Sequence, residues 1–206
     1  MKFLYADSLD YVDPNYIFLE DRSAPGRETY WDDEFSHQYL GEAPFDGLLV
    51  SRGVVGDHKF SGKYTQSQAM RFRRNGMRKF MRLEDPKYDE LMLMGDCGAF
   101  SYKDLDKPPY SPTEILEFYE DAGFTHGCSV DHLIFDFKRD LKGMESLPNH
   151  EDSLRVRERF EITKENAEAF YKECSQIQNF TPMGVVQGWS PGSMAEAARC
   201  LVSMGY

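Results

Sequence analysis

Two aspartates and one glutamine follow short apolar segments of this 206-residue chain, and their side chains could recognise a purine-like base. Asp96 follows LMLMG, Asp131 follows GCSV and Gln187 follows MGVV. An aspartate accepts hydrogen bonds from a ring N–H and an exocyclic amine, whereas a glutamine amide donates to a ring carbonyl. One carboxylate could also act as acid or base at a glycosidic bond. These residue types predict recognition of a flat heterocycle, without deciding which carboxylate would take the acid–base role.

Small and aromatic neighbours strengthen this interpretation. Glycines lie on both sides of Asp96 in GDCGAF, and Gly188 follows Gln187, so that a planar ligand could approach the backbone closely. Phe100 and Tyr102 could stack on such a ligand or could equally be core residues. Any one of the aspartates could instead be a helix cap or turn residue, since both are common after strands.

The elements that must position these residues are apolar runs alternating with amphipathic ones. The predicted strands are KFLYADS, DGLLVSRGVV, LMLMGDCGAF, HGCSVDHLIF and MGVVQGWS. Their nearly continuous apolarity is typical of parallel strands that are covered on both faces. We expect Asp7, Asp96, Asp131 and Gln187 at the carboxyl ends of their strands, the edge at which parallel α/β proteins build their sites.

Helix signals lie between the strands. Capping residues predict helix starts at Thr65, Ser111, Thr163 and Ser193 and helix ends at Gly123 and Gly205. The connection from about Leu9 to Phe45 is long, acidic and aromatic, and we expect it to be irregular with at most a short helix. The alternation predicts an α/β fold with a parallel sheet, in a single domain over residues 1–206. The sheet could be open and doubly wound, or part of a (β/α)₈ barrel.

Composition limits the class of protein. Apolar residues make up 41% of the chain, the net charge is −11, and no run of eighteen apolar residues is present. The N-terminus lacks the apolar stretch of a signal peptide, so a cytoplasmic protein with no membrane contact is predicted. Cys97, Cys128, Cys174 and Cys200 have no metal-ligand spacing and are expected to be reduced thiols, without a disulfide or zinc.

One segment of this acidic chain is basic. Residues 58–83 contain no aspartate or glutamate. Such a segment could bind an anion or could simply be the solvated face of a helix. The candidate phosphate-binding residues are Arg71, Arg73, Arg74, Arg78 and Lys79.

The motifs GDCGAF, CSVDH and GVVQG resemble, in order and spacing, signature elements of the tRNA-guanine transglycosylase superfamily. The segments ADSLDYVDPNY, GDCGAFSY, GFTHGCSVDH and VVQGWSPGSMAEAARCLVSMGY are similar to its DNA-modifying branch, the DpdA-type enzymes, over essentially the whole chain. The resemblance implies a (β/α)₈ barrel that replaces guanine in DNA with a 7-deazaguanine such as 7-cyano-7-deazaguanine. An aspartate of the enzyme would attack the sugar, and the deazaguanine would then capture the covalent intermediate.

The resemblance also implies roles for individual residues. Asp96 corresponds to the acid–base aspartate, Asp131 to the aspartate that recognises the Watson–Crick edge, and Gln187 to the glutamine at the base carbonyl. Cys97 lies where the tRNA enzymes have a serine, and Gly188 and Phe100 complete the expected base pocket. The implied partners are DNA, the deazaguanine, and possible completing or modification-system proteins.

The resemblance further implies what the 206 residues lack. The nucleophilic aspartate and the zinc ligands of the tRNA enzymes would lie beyond Tyr206, so the chain corresponds to about five of eight β/α units. We expect it to be inactive by itself and to need no cofactor. The alternatives are a non-catalytic half-barrel that binds a base or nucleic acid beside a partner chain, and a tRNA-directed transglycosylase. A metal-dependent hydrolase using Asp57, His58, Asp131 and His132 matches no metal-ligand spacing.

Overall fold

The computed structural model describes residues 1–6, 9–139 and 151–206, and Asp7 lies outside them. Its secondary structure alternates strands with helices, as the sequence predicts. The strands are β1 (Leu4–Ala6), β2 (Tyr11–Val12), β3 (Glu34–Phe35), β4 (Gly47–Ser51), β5 (Met92–Asp96), β6 (His126–Cys128) and β7 (Thr181–Met183). The helices are α1 (Ser36–Tyr39), α2 (Arg52–Val55), α3 (Gln66–Phe80), α4 (Pro112–Ala122), α5 (Glu151–Cys174) and α6 (Pro191–Met204).

Five of the strands form one parallel sheet in the order β1-β4-β5-β6-β7. Each strand therefore pairs with the next parallel strand along the chain. The α/β class with a parallel sheet is confirmed, and no closed barrel is formed by the described residues. Since parallel strands share a direction, the carboxyl ends of β4, β5, β6 and β7 lie along the same edge.

The larger helices form one layer on one face of the sheet. α3 packs against α4, α4 against α5, and α5 against α6. Right-handed crossovers that always step in the same direction would put every helix on that face. The strand register places Leu49, Met94, His126 and Thr181 in one row on the opposite face. Asp96 shares this face with Met94, because side chains two residues apart in a strand point the same way.

Tyr119 of α4 fills the space between the helices and the middle of the sheet. Its ring lies over Gly95 of β5 and Gly127 of β6, where an added Cβ would come within 2.3 Å and 2.4 Å of ring atoms. The side chain is 0% exposed, and its hydroxyl donates to the backbone carbonyl of Cys128 at 3.0 Å. Asp96 is the last residue of β5 and Asp131 follows β6 by three residues, so this packing lies next to the edge that carries both carboxylates.

Several boundaries differ from the sequence predictions. The paired part of β4 ends at Ser51, since Arg52–Val55 turns into α2. β6 ends at Cys128 and β7 at Met183, so Asp131 and Gln187 follow their strands at a distance of three and four residues. Polar residues at the end of an apolar run were thus predicted at the right edge but too close to the hydrogen-bonded ladder.

Two predicted helix starts were wrong. Thr163 lies inside α5, where its hydroxyl donates to the carbonyl of Arg159, rather than capping the helix. α6 is capped by Ser190, whose hydroxyl accepts from the backbone N–H of Ser193 at 3.1 Å. Ser193 is therefore the third residue of the helix. The Pro191 that follows Ser190 is the signal that would have placed the start correctly.

The remaining helix signals agree with the structure. Thr65 and Ser111 both form capping boxes, and Gly123 and Gly205 end their helices in the left-handed conformation. The connection before Phe45 is irregular apart from the small β2–β3 sheet and the short α1, as expected. The four cysteines are unpaired, in agreement with the predicted thiols. No helix among the described residues has the length and apolarity needed to cross a bilayer.

Candidate functional site

Asp131 is the centre of a buried hydrogen-bond network at the carboxyl edge of the sheet. The Cys97 thiol donates to its Oδ1 at 3.1 Å, and the Gln187 amide Nε2 donates to its Oδ2 at 2.7 Å. The Gln187 Oε1 accepts from the backbone N–H of Ile134 at 3.2 Å. Three of the predicted site residues, from three separate loops, are therefore in direct contact. Only 4% of Asp131 is exposed, and this burial raises its pKa, to which the charge of Asp96 adds.

Asp96 is the last residue of β5 and lies beside this network. Its Oδ2 accepts from the backbone N–H of Gly98 at 3.0 Å. Burial raises the pKa of Asp96, while hydrogen bonds from Ser51 and from the N–H groups of Gly98 and Cys97 partly offset that rise. Gly98 has a φ of 85°, a left-handed conformation that brings its N–H back towards the carboxylate. A carboxyl whose pKa is raised towards neutrality is suited to proton transfer.

Tyr102 holds the network from below and is a core residue rather than a stacking platform. Its hydroxyl lies 3.2 Å from Cys97 Sγ and 3.1 Å from the backbone carbonyl oxygen of Asp131. Burial raises the pKa of the Cys97 thiol well above its ordinary value, so that the thiol keeps its proton and can donate it to Asp131. Cys97 thus supplies the donor that a serine hydroxyl would supply at this position.

The predicted base-pocket residues differ in exposure. Phe100 lies in the first turn after β5 and is 69% exposed. The centre of its ring is 6.5 Å from that of Phe135. Gly188 is buried against α6, where a Cβ would lie 2.8 Å from the backbone nitrogen of Met194. Trp189 is 2% exposed and packs on Phe160 at 5.2 Å. Trp189 therefore packs inside the protein, whereas Phe100, three residues after Cys97, and its neighbour Phe135 are exposed aromatic rings.

The predicted phosphate-binding residues lie on α3, in the outer helical layer, and most have partners within the chain. The Arg71 guanidinium lies 3.9 Å from the centre of the Tyr30 ring, Arg73 donates to the carbonyl of Gly56, and Arg78 donates to the carbonyl of Leu83. Arg74 and Lys79 are exposed. The helix is interrupted at Gly76, which has a φ of 73° and a ψ of 169°, so Arg78 and Lys79 follow a break in the backbone. The structure does not bring this basic segment into the Asp131 network.

Sequence analysis missed a buried arginine that ties the loops of the site together. Arg159 of α5 donates from Nη1 to the carbonyl of Leu133 at 2.7 Å and from Nη2 to that of Lys103 at 2.6 Å. His132 adds a bond from its Nε2 to the carbonyl of Leu105 at 2.8 Å. The segment after Phe100 is therefore fixed to the segment after Asp131. No local pattern marks Arg159, because its partners lie 26 and 56 residues away.

The residues predicted for a metal-dependent hydrolase do not form a ligand cluster within the described part of the chain. Among the described residues, no three His, Cys, Asp or Glu side chains lie close enough to hold a metal ion. Asp57 instead forms an ion pair with Arg52 at 3.1 Å, and His132 bonds to a backbone carbonyl. These contacts explain both residues as structural.

The chain was compared with known families and with individual proteins. No family model matches the chain. The chain is 38% identical, over 207 aligned positions, to a protein from Salmonella montevideo named DNA-guanine transglycosylase. The alignment covers 100% of this chain and 47% of the relative. The chain thus spans about half the length of the curated relative that it matches.

Proposed function

This similarity supports the transglycosylase family for the chain, and we propose that the chain is the base-recognising part of an enzyme that replaces guanine in DNA. The incoming base is a 7-deazaguanine, with 7-cyano-7-deazaguanine as the first candidate. The observation that carries the proposal is the contact of Asp131 with Cys97 and Gln187 at the carboxyl edge, beside Asp96. The name of the relative, DNA-guanine transglycosylase, favours DNA over tRNA as the polymer.

The network leaves hydrogen-bonding capacity for a base. Each carboxylate oxygen of Asp131 has accepted one bond and has a second lone pair, so two further N–H groups can be bound. The Gln187 amide has a second N–H that can donate to a ring carbonyl. The exposed ring of Phe100 offers a stacking surface next to these groups. A guanine-type base presents the matching pattern, namely two adjacent N–H donors and a carbonyl.

The proposed reaction is a base exchange with a covalent intermediate. A carboxylate of the enzyme attacks the anomeric carbon of the deoxyribose and breaks the bond to guanine, which leaves with a proton from an acid. A deazaguanine nitrogen then attacks the same carbon and releases the carboxylate, as its own proton goes to a base. We assign the proton transfers to Asp96, whose raised pKa suits both directions.

A (β/α)₈ barrel is the fold that we propose for the complete enzyme. A sheet in which each strand pairs with the next one along the chain is the arrangement found in such barrels, and the helices here lie in a single layer. The face away from the helices would then be the inner wall of the barrel. It carries Asp96 at its carboxyl end, where the sites of these barrels are found.

The proposal is tested by incubating the chain with radiolabelled 7-cyano-7-deazaguanine and, in parallel reactions, with guanine-containing duplex DNA or tRNA. Equilibrium binding of the base is expected at the Asp131 network, and label in DNA would report exchange. Binding without label would favour the non-catalytic half-barrel that acts with a partner chain. Label in tRNA but not in DNA would favour the tRNA-directed alternative. A chain that binds neither guanine nor a deazaguanine would contradict the proposal.

The basic helix remains a predicted phosphate contact, and the exposed Arg74 and Lys79 can be changed without disturbing the internal contacts of Arg71, Arg73 and Arg78. Arg74→Glu combined with Lys79→Glu should weaken DNA binding and lower the slope of log K against log salt by about two, since each phosphate contact releases about one counterion. Fluorescence anisotropy at several salt concentrations measures both effects.

The matched control is Lys172→Glu combined with Arg199→Glu, which reverses two other exposed charges, with side chains 70% and 69% exposed. Identical salt slopes in the two double variants would remove the phosphate role from α3.

A further inference from the structure

Arg159 is a buried cation for which the described residues provide no carboxylate partner. Only 7% of it is exposed, and its donated bonds go to neutral backbone carbonyls. Its Nε is buried without a hydrogen-bond partner among the described residues. Burying a charge is costly unless an opposite charge accompanies it. The carboxylates of Asp104 and Asp106 act on this charge electrostatically, but their side chains are 86% and 94% exposed and neither forms an ion pair with Arg159. Among the described residues the positive charge is therefore only partly balanced, and an anion could neutralise the rest.

A second arginine faces the same space. Arg155 lies four residues before Arg159 on α5, a spacing that puts both side chains on one face of the helix. Both line an open cavity of about 300 Å³ together with Leu133, Ile134 and Phe135. The Arg155 side chain is 48% exposed, and its ion pair is with Asp106 at 3.9 Å, a carboxylate that is 94% exposed. The Arg155 Nη2 also donates to the backbone carbonyl of Asp104 at 3.3 Å. Because both contacts are long and exposed, they contribute little, and a phosphate could replace them.

One carboxylate also borders the cavity. Asp136 is part of its lining, but its Oδ1 forms an ion pair with Lys138 Nζ at 2.6 Å. Its charge is therefore matched by a lysine, as the charge of Asp104 is by Lys103 at 2.7 Å, and Asp106 is the acidic partner of Arg155 among the described residues.

The cavity adjoins the base-recognition network. Its wall begins at Leu133, two residues after Asp131, and continues through Ile134, whose N–H donates to Gln187. Phe135, at its rim, is 63% exposed, and its ring contacts that of Phe100 edge to face. An anion bound here would be held next to the base and on the same edge of the sheet, unlike one bound by α3.

We propose that Arg155 and Arg159 bind a backbone phosphate of the DNA strand that carries the exchanged base. A guanidinium matches a phosphate with two parallel N–H···O bonds, and the contact would hold the strand while the target nucleotide leaves the stack. The inference rests on the proposed function, because it takes DNA as the polymer. It adds to that function a second site, on α5, that would hold the DNA strand in position besides the basic residues of α3.

The test compares two alanine variants that each remove one positive charge from α5. Arg155→Ala is expected to raise the Kd for a guanine-containing single-stranded oligonucleotide about fivefold to tenfold and to lower the salt slope by about one. Lys172→Ala, whose position is about 25 Å further along the same helix, is expected to leave both unchanged. Fluorescence anisotropy over a series of salt concentrations gives both quantities. Arg155 is the primary variant because its side chain is half exposed and Arg159 also holds loops together.

Calorimetry with 7-cyano-7-deazaguanine on the same variants tests the proposed base-binding function separately from the proposed phosphate site. Arg155→Ala is expected to bind the free base as the unmodified chain does. Equal salt slopes in Arg155→Ala and Lys172→Ala would overturn the phosphate site, as would base binding without any salt-dependent DNA binding. Inorganic phosphate that binds the cavity but is not displaced by the oligonucleotide would also overturn it. Failure of the unmodified chain to bind the base would instead overturn the proposed function.

Discussion

Asp131→Asn is expected to weaken the binding of 7-cyano-7-deazaguanine by about 100-fold or more. The substitution keeps the shape of the side chain but replaces one acceptor oxygen with an NH₂ group, which would point its hydrogens at the N–H donors of the base. A buried donor left without an acceptor costs about 1–3 kcal/mol, and the lost charge weakens the remaining bond. Since 1.4 kcal/mol is a factor of ten, two impaired bonds give the expected loss. Isothermal titration calorimetry measures it directly.

Cys97→Ser is the control for this experiment. A serine hydroxyl can still donate to Asp131 Oδ1, as the thiol does at 3.1 Å. The affinity of the Cys97→Ser variant for the base should stay within about threefold of that of the unmodified chain, because one neutral hydrogen-bond donor replaces another. Asp131→Asn with retained affinity would discard the assignment of Asp131 as the base-reading carboxylate.

The pH dependence of base binding gives an independent check on Asp131. Only the ionised carboxylate accepts from two N–H groups, so affinity should fall as the pH drops through the pKa of Asp131, which burial raises above 3.8. The same raised pKa means that protonation of Asp131 favours the folded state, and that this contribution is lost as the pH rises through the folded pKa. As the pH is lowered, base binding should therefore be lost before the circular dichroism signal changes. If binding and signal were lost at the same pH, simple unfolding would explain both.

Tyr119→Ala is expected to lower the free energy of unfolding by about 3–5 kcal/mol, the range for removing a large buried aromatic side chain. The ring is 0% exposed and lies on Gly95 and Gly127, whose missing side chains leave no atoms that could fill the cavity. Phe170 and Phe180 contact the same ring at 6.1 Å. Denaturant unfolding followed by circular dichroism measures the change. The two strands involved lead to Asp96 and Asp131, so weaker base binding should accompany the loss of stability.

Tyr119→Phe separates the ring from the hydroxyl. It removes the bond from the hydroxyl to the carbonyl of Cys128 but keeps the packing, so a loss of about 1 kcal/mol is expected. If Tyr119→Ala destabilises the protein no more than Tyr119→Phe does, the packing of the ring on the two glycines is not what joins β5 to β6.

Local sequence signals determined the order of the elements and many of their ends. The side chains of Thr65 and Ser111 cap backbone N–H groups within the next turn, and Gly123 and Gly205 adopt left-handed conformations, so all four could be recognised locally. Apolar runs marked all five strands of the parallel sheet. The extent of the paired β6 and β7 was overestimated, because an apolar run continues past the point at which the neighbouring strand stops offering hydrogen bonds.

The sequence by itself determined the α/β alternation and the edge on which Asp96, Asp131 and Gln187 would lie, since strand direction alone fixes which ends meet. Only the tertiary structure decided how those residues are held. The bonds from Cys97 and Gln187 to Asp131 span 34 and 56 residues, and the clamp of Arg159 joins loops that no local pattern relates. Burial, hydrogen-bond partners and pKa depend on which distant segments pack together. Backbone preferences read from neighbouring residues carry none of that information.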